Sequence, residues 1–405
     1  MNHIRTRPLV KLLIAFIILS FLSEGIAVVH GPATDKAKIA RALQPKLDSM
    51  VVKYYVPGAT FTMLYGNWRK ISLSSGLSDI EQNLSMIPDA MMFSGSVGKT
   101  FVAAIVLKLH EKGLINLKAR VTNYLGSQSW FSAIPNSKDI TVEMLLNHTA
   151  GIPEYAYHRE IWQEISKNPD KIWSAEERLS FTCGEAPSNP PGKGWNYADS
   201  HYIVLGLIIE KVTGRPYYSL LKEMVLLPCD LDKTQPAEHR ELTGLIPGYT
   251  SLSEPLFLPR KMAEKEKYAF NPQLEWTGGG VVTNGSDLVA WAKQLYGGDF
   301  LKPESLKLMV TPVPFSTSLP ENAGYGLGCI IGETNGIKFY GHSGFVPGYL
   351  TIVQYLPAYD MALAMQVNTD ALHGEGFQAM FNEMKTTACS LQVKKSEDHF
   401  MSPVN

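Results

Sequence analysis

Phe93-Ser94-Gly95-Ser96-Val97-Gly98-Lys99-Thr100, continued to Gly113, is the stretch that decides the fold. Its second half has a helical period. Val102, Ile105, Val106 and Leu109 fall at i, i+3, i+4 and i+7, and Gly113 stands where a C-terminal cap belongs. Ala103, Ala104 and Leu107 make the opposite side apolar as well, so the helix is expected to be buried. Ser96 falls at or just inside its first turn, with Lys99 one turn further on the same face. A lysine that opens a buried helix lacks the usual explanation of a solvated face. A serine hydroxyl needs a base in contact before it attacks a carbonyl, and burial lowers a lysine's pKa from about 10.4. The helix N-terminus adds favourable potential at the serine oxygen. Ser96 and Lys99 are therefore the candidate catalytic pair. The same serine lies in Ser94-Gly95-Ser96-Val97-Gly98, a G-x-S-x-G elbow with its first glycine changed. That elbow needs a core strand in front of it, and only Met91, Met92 and Phe93 follow Pro88-Asp89.

On the N-terminal side, Thr34 to Tyr54 reads as a helix, with Ile39, Leu43 and Leu47 every four residues and Pro45 inside. Ala59 to Tyr65 alternates, Gly66-Asn67 turns, and Trp68 to Ser75 returns as a second strand. On the C-terminal side, helical patterns broken by Pro-, Gly- and Asn-rich loops reach to about Tyr268. Among them are a helix from about Ser200 to Thr213 and a charged segment, Glu254 to Lys267, read as a surface loop. Strands are then expected at Tyr325–Ile331, Ile337–Gly341, Tyr349–Tyr355 and Met361–Val367, followed by a helix from about Gly374 to Cys389. Strands at both ends and helices between predict an α+β fold. An antiparallel sheet flanked by the terminal helices (about 33–95 and 275–392) joins a mostly helical second lobe (about 96–274), and a cleft between lobes is the usual place for a substrate.

Of the 405 residues, 45% are hydrophobic and 19% charged, and the formal net charge is -1, with no basic run to attract nucleic acid. Arg5, Arg7 and Lys11 precede an uncharged stretch, Leu12–Leu22, and small residues at Gly25-Ile26-Ala27. This is the layout of a signal peptide over 1–28 and predicts export, periplasmic or secreted, with no membrane span after leader removal. Residues 393–405 read as a disordered tail. Cys183, Cys229, Cys329 and Cys389 allow three full pairings among which the sequence does not choose. No metal-ligand spacing is present, and no cofactor is expected.

Two more segments carry chemistry: Asn196-Tyr197-Ala198-Asp199-Ser200 ahead of a helix, and Tyr340-Gly341-His342-Ser343-Gly344-Phe345 near a strand end. With Ser96-x-x-Lys99 they resemble, in order and spacing, the motifs of the serine β-lactamase and penicillin-binding protein superfamily. The likeness is to the branch of class C β-lactamases, D-alanyl-D-alanine carboxypeptidases and related esterases. Leu145-Leu146-Asn147-His148-Thr149-Ala150-Gly151, Pro190-Pro191-Gly192 and Gly278-Gly279-Gly280-Val281 match in addition, from about residue 40 to about 390. The resemblance implies a β-lactamase/transpeptidase-like fold in which Ser96 is acylated, Lys99 activates it and Tyr197 passes the proton to the leaving group. It further implies that His342, Ser343 and Gly344 line the cleft and that the amides of Ser96 and Phe345 form an oxyanion hole. His148 is read as structural.

One position departs from the family pattern. Tyr-x-Asn is Tyr-Ala-Asp here, and an ionised Asp199 accepts hydrogen bonds but cannot donate to a substrate amide carbonyl. It also stabilises charged Lys99 and shifts the base role toward Tyr197. The expectation is a serine hydrolase acting on a peptide-like amide or ester, D-alanyl-D-alanine carboxypeptidase-like or esterase-like. Its substrate would be a small molecule or a peptidoglycan peptide. The alternatives are a slow-turnover penicillin- or peptidoglycan-binding sensor, a β-lactamase, and a non-catalytic structural relative.

Overall fold

The computed structural model describes residues 32–314 and 323–392, so the leader and tail expectations lie outside the described residues. Contacts divide the chain into residues 1–39 and 40–405. The first unit contributes, among the described residues, only the start of helix α1 (Pro32–Lys53). All the remaining elements belong to the second unit.

Eight antiparallel strands form the main sheet. They are β1 (Gly58–Tyr65), β2 (Arg69–Asp79), β3 (Leu84–Ser85), β4 (Gly324–Tyr325), β5 (Ile330–Thr334), β6 (Ile337–Val346), β7 (Tyr349–Leu356) and β8 (Met361–Val367), in the spatial order β3-β2-β1-β8-β7-β6-β5-β4. The early hairpin thus joins the late strands, as the sequence pattern predicted, with Tyr65 opposite both Arg69 and Met361. Every residue of β1, β7 and β8 is buried, because helices cover both faces of these central strands. Successive side chains point to opposite faces. On one face Lys385 of α5 (Glu375–Ser390) reaches Gln354 at 3.2 Å; on the other, Gly297 of α4 (Gly285–Gly297) lies against Tyr355. Asn284 caps α4 by accepting from the Asp287 amide at 2.9 Å, a contact that stabilises a helix by about 1 kcal/mol.

Helix α2 (Lys99–Glu111) and helix α3 (Asp199–Thr213) are the centre of the helical lobe. Both are apolar nearly all round and buried in the common hydrophobic core, where Phe101 stacks on Trp291 with ring centroids 4.8 Å apart. Two expectations need correction. Tyr325–Ile331 is not one strand: at residues 326–328 the backbone leaves the sheet, and the amides of Leu327 and Gly328 donate to Met309 and Leu146 carbonyls instead. The segment 254–267 is not a plain surface loop, since Leu258, Met262 and Ala263 are buried and Ala263–Glu264 pairs with Lys267–Tyr268. The lobes also share a small sheet of Met92–Phe93, Val281–Thr283 and Gln235–Pro236. Met92–Phe93 is a two-residue strand leading into the turn that carries Ser96, not the core strand an elbow requires, as the sequence indicated.

Candidate active site

Ser96 sits in a 3-10 turn, Gly95–Gly98, that runs directly into α2, one step before the α-helical turn the sequence suggested. The turn is fixed by two strands. The Ser94 amide donates to the Val281 carbonyl at 3.0 Å, and Thr351 of β7 donates to the Phe93 carbonyl at 2.9 Å. Ser96 is half-buried and Lys99 is fully buried. Lys99 Nζ donates to Ser96 Oγ at 2.9 Å, to the Asp199 carboxylate and to the Gly278 carbonyl. Its three protons are thereby all engaged. The ammonium also faces the rings of Tyr197 and Tyr202, 4.9 and 5.4 Å from their centroids.

The electrostatics differ from the simple buried-lysine expectation. Burial does pull the Lys99 pKa down, and it is the largest single influence. The Asp199 charge, followed by Tyr197, outweighs it, and the net pKa is raised. Lys99 is therefore a fixed cation. Asp199, expected to meet substrate, is held by Lys99 at the first position of α3, where a negative charge is favoured. The Tyr197 hydroxyl is buried without a hydrogen bond in the described structure. Burial raises its pKa to about 12, the Lys99 charge working against that and the Asp199 charge with it. Ser96 and Lys99 both lie close enough to hold the ionised oxygen, and each acts to lower that pKa.

Strand β6 passes against the nucleophile turn. A Cβ placed on Gly344 would come within 1.9 Å of the Ser94 carbonyl oxygen and 2.9 Å of the Ser96 nitrogen. One placed on Gly95, which has φ +51, would sit 2.5 Å from the Phe345 nitrogen. The backbones carrying the Ser96 and Phe345 amides thus run in close contact, an arrangement that a two-donor oxyanion site requires. Ser343 is exposed at this edge, and the Phe345 ring packs edge-on against His373 at 4.9 Å. His342 is placed otherwise than expected. It is only 4% exposed and points into the protein, Nδ1 donating to the Ser343 carbonyl and Nε2 accepting from the Tyr325 hydroxyl at 2.9 Å. Burial, then the Lys99 charge, lower its pKa to about 3. A neutral imidazole with both nitrogens engaged does not hold a substrate carboxylate.

Sequence reasoning missed the carboxyls behind Asp199. Glu154, buried, accepts from the Asp199 and Ala156 amides, and Glu275 lies near the same charges. Burial, then Asp199, raise both to about 8. The only hint was that Glu154 follows the Leu145–Gly151 segment by three positions. A cleft of about 490 Å³ is lined by Ala156, Tyr157, Arg159, Trp162, Glu254 and Leu256, and Ser96 is not part of its lining.

This fold and this serine–lysine–tyrosine grouping define a class, the serine hydrolases of the penicillin-recognising type. Residues 39–383 match the model of the Beta-lactamase family, and the chain belongs to that family. It is 26% identical over 290 residues to Penicillin-binding protein 4* of Bacillus subtilis (strain 168), a match covering 69% of this chain and 61% of that one. Among solved structures it is similar to a D-stereospecific amidohydrolase from Streptomyces sp., with TM-score 0.72 and 27% identity over 82% of this chain and 94% of that one. The D-amino acid amidase of Ochrobactrum anthropi SV3 shares the fold, with TM-score 0.73 and 21% identity over 87% and 98% of the two chains.

Proposed function

We propose that the chain hydrolyses peptide-like amides or esters through an acyl-enzyme on Ser96, with Tyr197 as the base and Lys99 as a fixed positive charge. The observation that carries this reading is the position of Lys99 Nζ, bonded at once to Ser96 Oγ, Asp199 and the Gly278 carbonyl and set against the Tyr197 ring. Ser96 Oγ attacks the substrate carbonyl carbon as Tyr197, reacting in its ionised form with its own proton released to solvent, takes the Ser96 proton onto its oxygen. Tyr197 returns that proton to the departing nitrogen or oxygen as the C–N or C–O bond breaks, leaving an ester on Ser96. Water, giving a proton to Tyr197, then attacks that ester, and the proton goes back to Ser96 Oγ. The Ser96 and Phe345 amides stabilise the oxyanion in both halves. The Lys99 cation favours the ionised phenol and works against the burial that raises the Tyr197 pKa to about 12.

Charge placement separates two substrate classes. A carboxypeptidase must hold the free carboxylate of its leaving group. Lys99 is spent on Asp199, His342 is neutral and turned inward, and Arg178 donates to the carbonyls of Gln273 and Leu274. An uncharged leaving group fits this environment better, and the likeness to a D-stereospecific amidohydrolase supports an acyl group of D configuration. Efficient β-lactam hydrolysis is not expected, because Asp199 cannot donate to the side-chain amide carbonyl of a penicillin. Export is part of the proposal on the leader pattern alone. The test compares kcat/KM on a D-amino acid amide, its L enantiomer, an activated ester and an acyl-D-alanyl-D-alanine peptide. The D-amide and the ester are expected to be cleaved faster than the peptide. Faster cleavage of the peptide would instead favour a carboxypeptidase.

A further inference from the structure

His148 is fully buried and takes no part in the reaction above, yet it meets the Tyr197 segment in three ways. Its backbone carbonyl accepts from the Asn196 amide at 3.0 Å. Its Nδ1 accepts from the Ala198 amide at 3.3 Å. Its ring lies on the Tyr197 ring between these two bonds, centroids 4.2 Å apart and planes inclined by 36°. The residues on either side of Tyr197 and the ring of Tyr197 are thus held by one side chain and its own carbonyl. His148 adopts φ +62 to do so, a conformation that costs a non-glycine residue energy and persists where the surroundings impose it.

The hydrogen bonds also fix which nitrogen of His148 carries the proton. The Ile152 amide donates to His201 Nε2 at 3.2 Å, so that nitrogen is an acceptor. A neutral His201 then carries its proton on Nδ1, which lies 3.0 Å from His148 Nδ1 and donates to it. His148 Nδ1 is an acceptor for both His201 and Ala198, and its proton is on Nε2, which is buried with no acceptor among the described residues. A buried unpaired donor is unfavourable, so simple packing does not explain why an imidazole stands here. Burial first, then neighbouring positive charge, disfavours protonation of both rings and keeps this arrangement neutral.

We propose that His148 is a positioning residue that holds the Tyr197 hydroxyl toward Ser96, with His201 locking the tautomer that lets it do so. The proposal rests on Tyr197 being the base. A misplacement of about 1 Å in a catalytic group costs about 100-fold in rate. His148→Phe keeps a flat ring but loses the acceptor for Ala198 and His201. It is expected to lower kcat by about that factor with KM little changed. His148→Asn keeps an acceptor at the Nδ1 position and tolerates positive φ, so it should recover part of the loss.

The decisive measurement is a double-mutant cycle with Tyr197→Phe, with the melting temperature of each variant recorded. Once the phenol is gone, His148→Phe should change kcat hardly at all. An equal fold-loss in both backgrounds would mean general structural damage and would overturn the proposal. So would unchanged kcat in His148→Phe when Tyr197→Phe is inactive. Full activity of Tyr197→Phe would remove the base assignment itself, and the positioning role with it. If His148→Phe does not fold, His201→Leu leaves His148 in place and removes the donor to its Nδ1. A kcat loss in His201→Leu that vanishes in the Tyr197→Phe background supports the proposal, and one that persists there contradicts it.

Discussion

Between Lys99 and Asp199, charge decides what each neighbouring group can do. A buried lysine alone would be driven neutral, but with Asp199 against it the ammonium persists, and in the proposed reaction the phenol of Tyr197 carries the proton. The same buried charges act on Glu154, whose pKa burial and Asp199 raise from 4.5 to about 8. A carboxyl whose folded pKa is raised favours the folded state fully below its unfolded value of 4.5, and that contribution is lost as pH rises through about 8. Glu154→Gln keeps an acceptor for one of the two amides, of Asp199 and Ala156, and removes the titration. The variant should therefore melt higher than the parent at and above about pH 8 and close to it near pH 4.5. Thermal melting across that range checks the sign, and a difference that is constant or reversed would contradict it. The weakening of Lys99 as a base was legible in the sequence, because it follows from reading Asp199 where the pattern has asparagine. Glu154, Glu275 and the His148–His201 pair were not legible. Their roles come from packing between segments about fifty or more positions apart, which no periodicity encodes.

Among the elements, β6 carries the least tolerance for change, since it passes the Ser96 turn with a glycine at the closest point. Gly344→Ala would drive a methyl group into the Ser94 carbonyl and force the strand and the turn apart. The expected result is a fall in kcat/KM of about 100-fold or more, the scale of a displaced catalytic geometry, because the proposed oxyanion donors, the Ser96 and Phe345 amides, flank that contact. Steady-state kinetics against an activated ester measures it, and a near-normal rate would place the oxyanion donors elsewhere. Strands with strict alternation and clear turns were readable: β1 and β2 around Gly66-Asn67, and β7 and β8 around residues 357–360. The helix from Asp199 to Thr213 was readable from its apolar run and the stop at Gly214. Residues 254–267 were misread because their buried groups, Leu258, Met262 and Ala263, follow no regular period. The break at 326–328 was missed because it depends on acceptors supplied by Leu146 and Met309, far away in sequence. The inward turn of His342 is set by Tyr325 across the sheet and had no local sign.

At the scale of the whole molecule, the site is a meeting of four segments from two lobes: the Gly95–Gly98 turn, the start of α3, the loop carrying Gly278, and β6. Each holds another in place, as Lys99 does by bonding to Ser96, Asp199 and Gly278 together. Among the described residues no helix is long and apolar enough to cross a membrane. The small sheet of Met92–Phe93, Val281–Thr283 and Gln235–Pro236 joins the lobes directly ahead of the Gly95–Gly98 turn. The most direct test of that assembly is intact-mass spectrometry of the protein and its Ser96→Ala variant after brief exposure to an activated ester. The expected result is one acyl increment on the parent, mapped by peptide digestion to Ser96, that decays with time and is absent from the variant. An unmodified parent in folded form, or an increment that survives Ser96→Ala, would contradict the account.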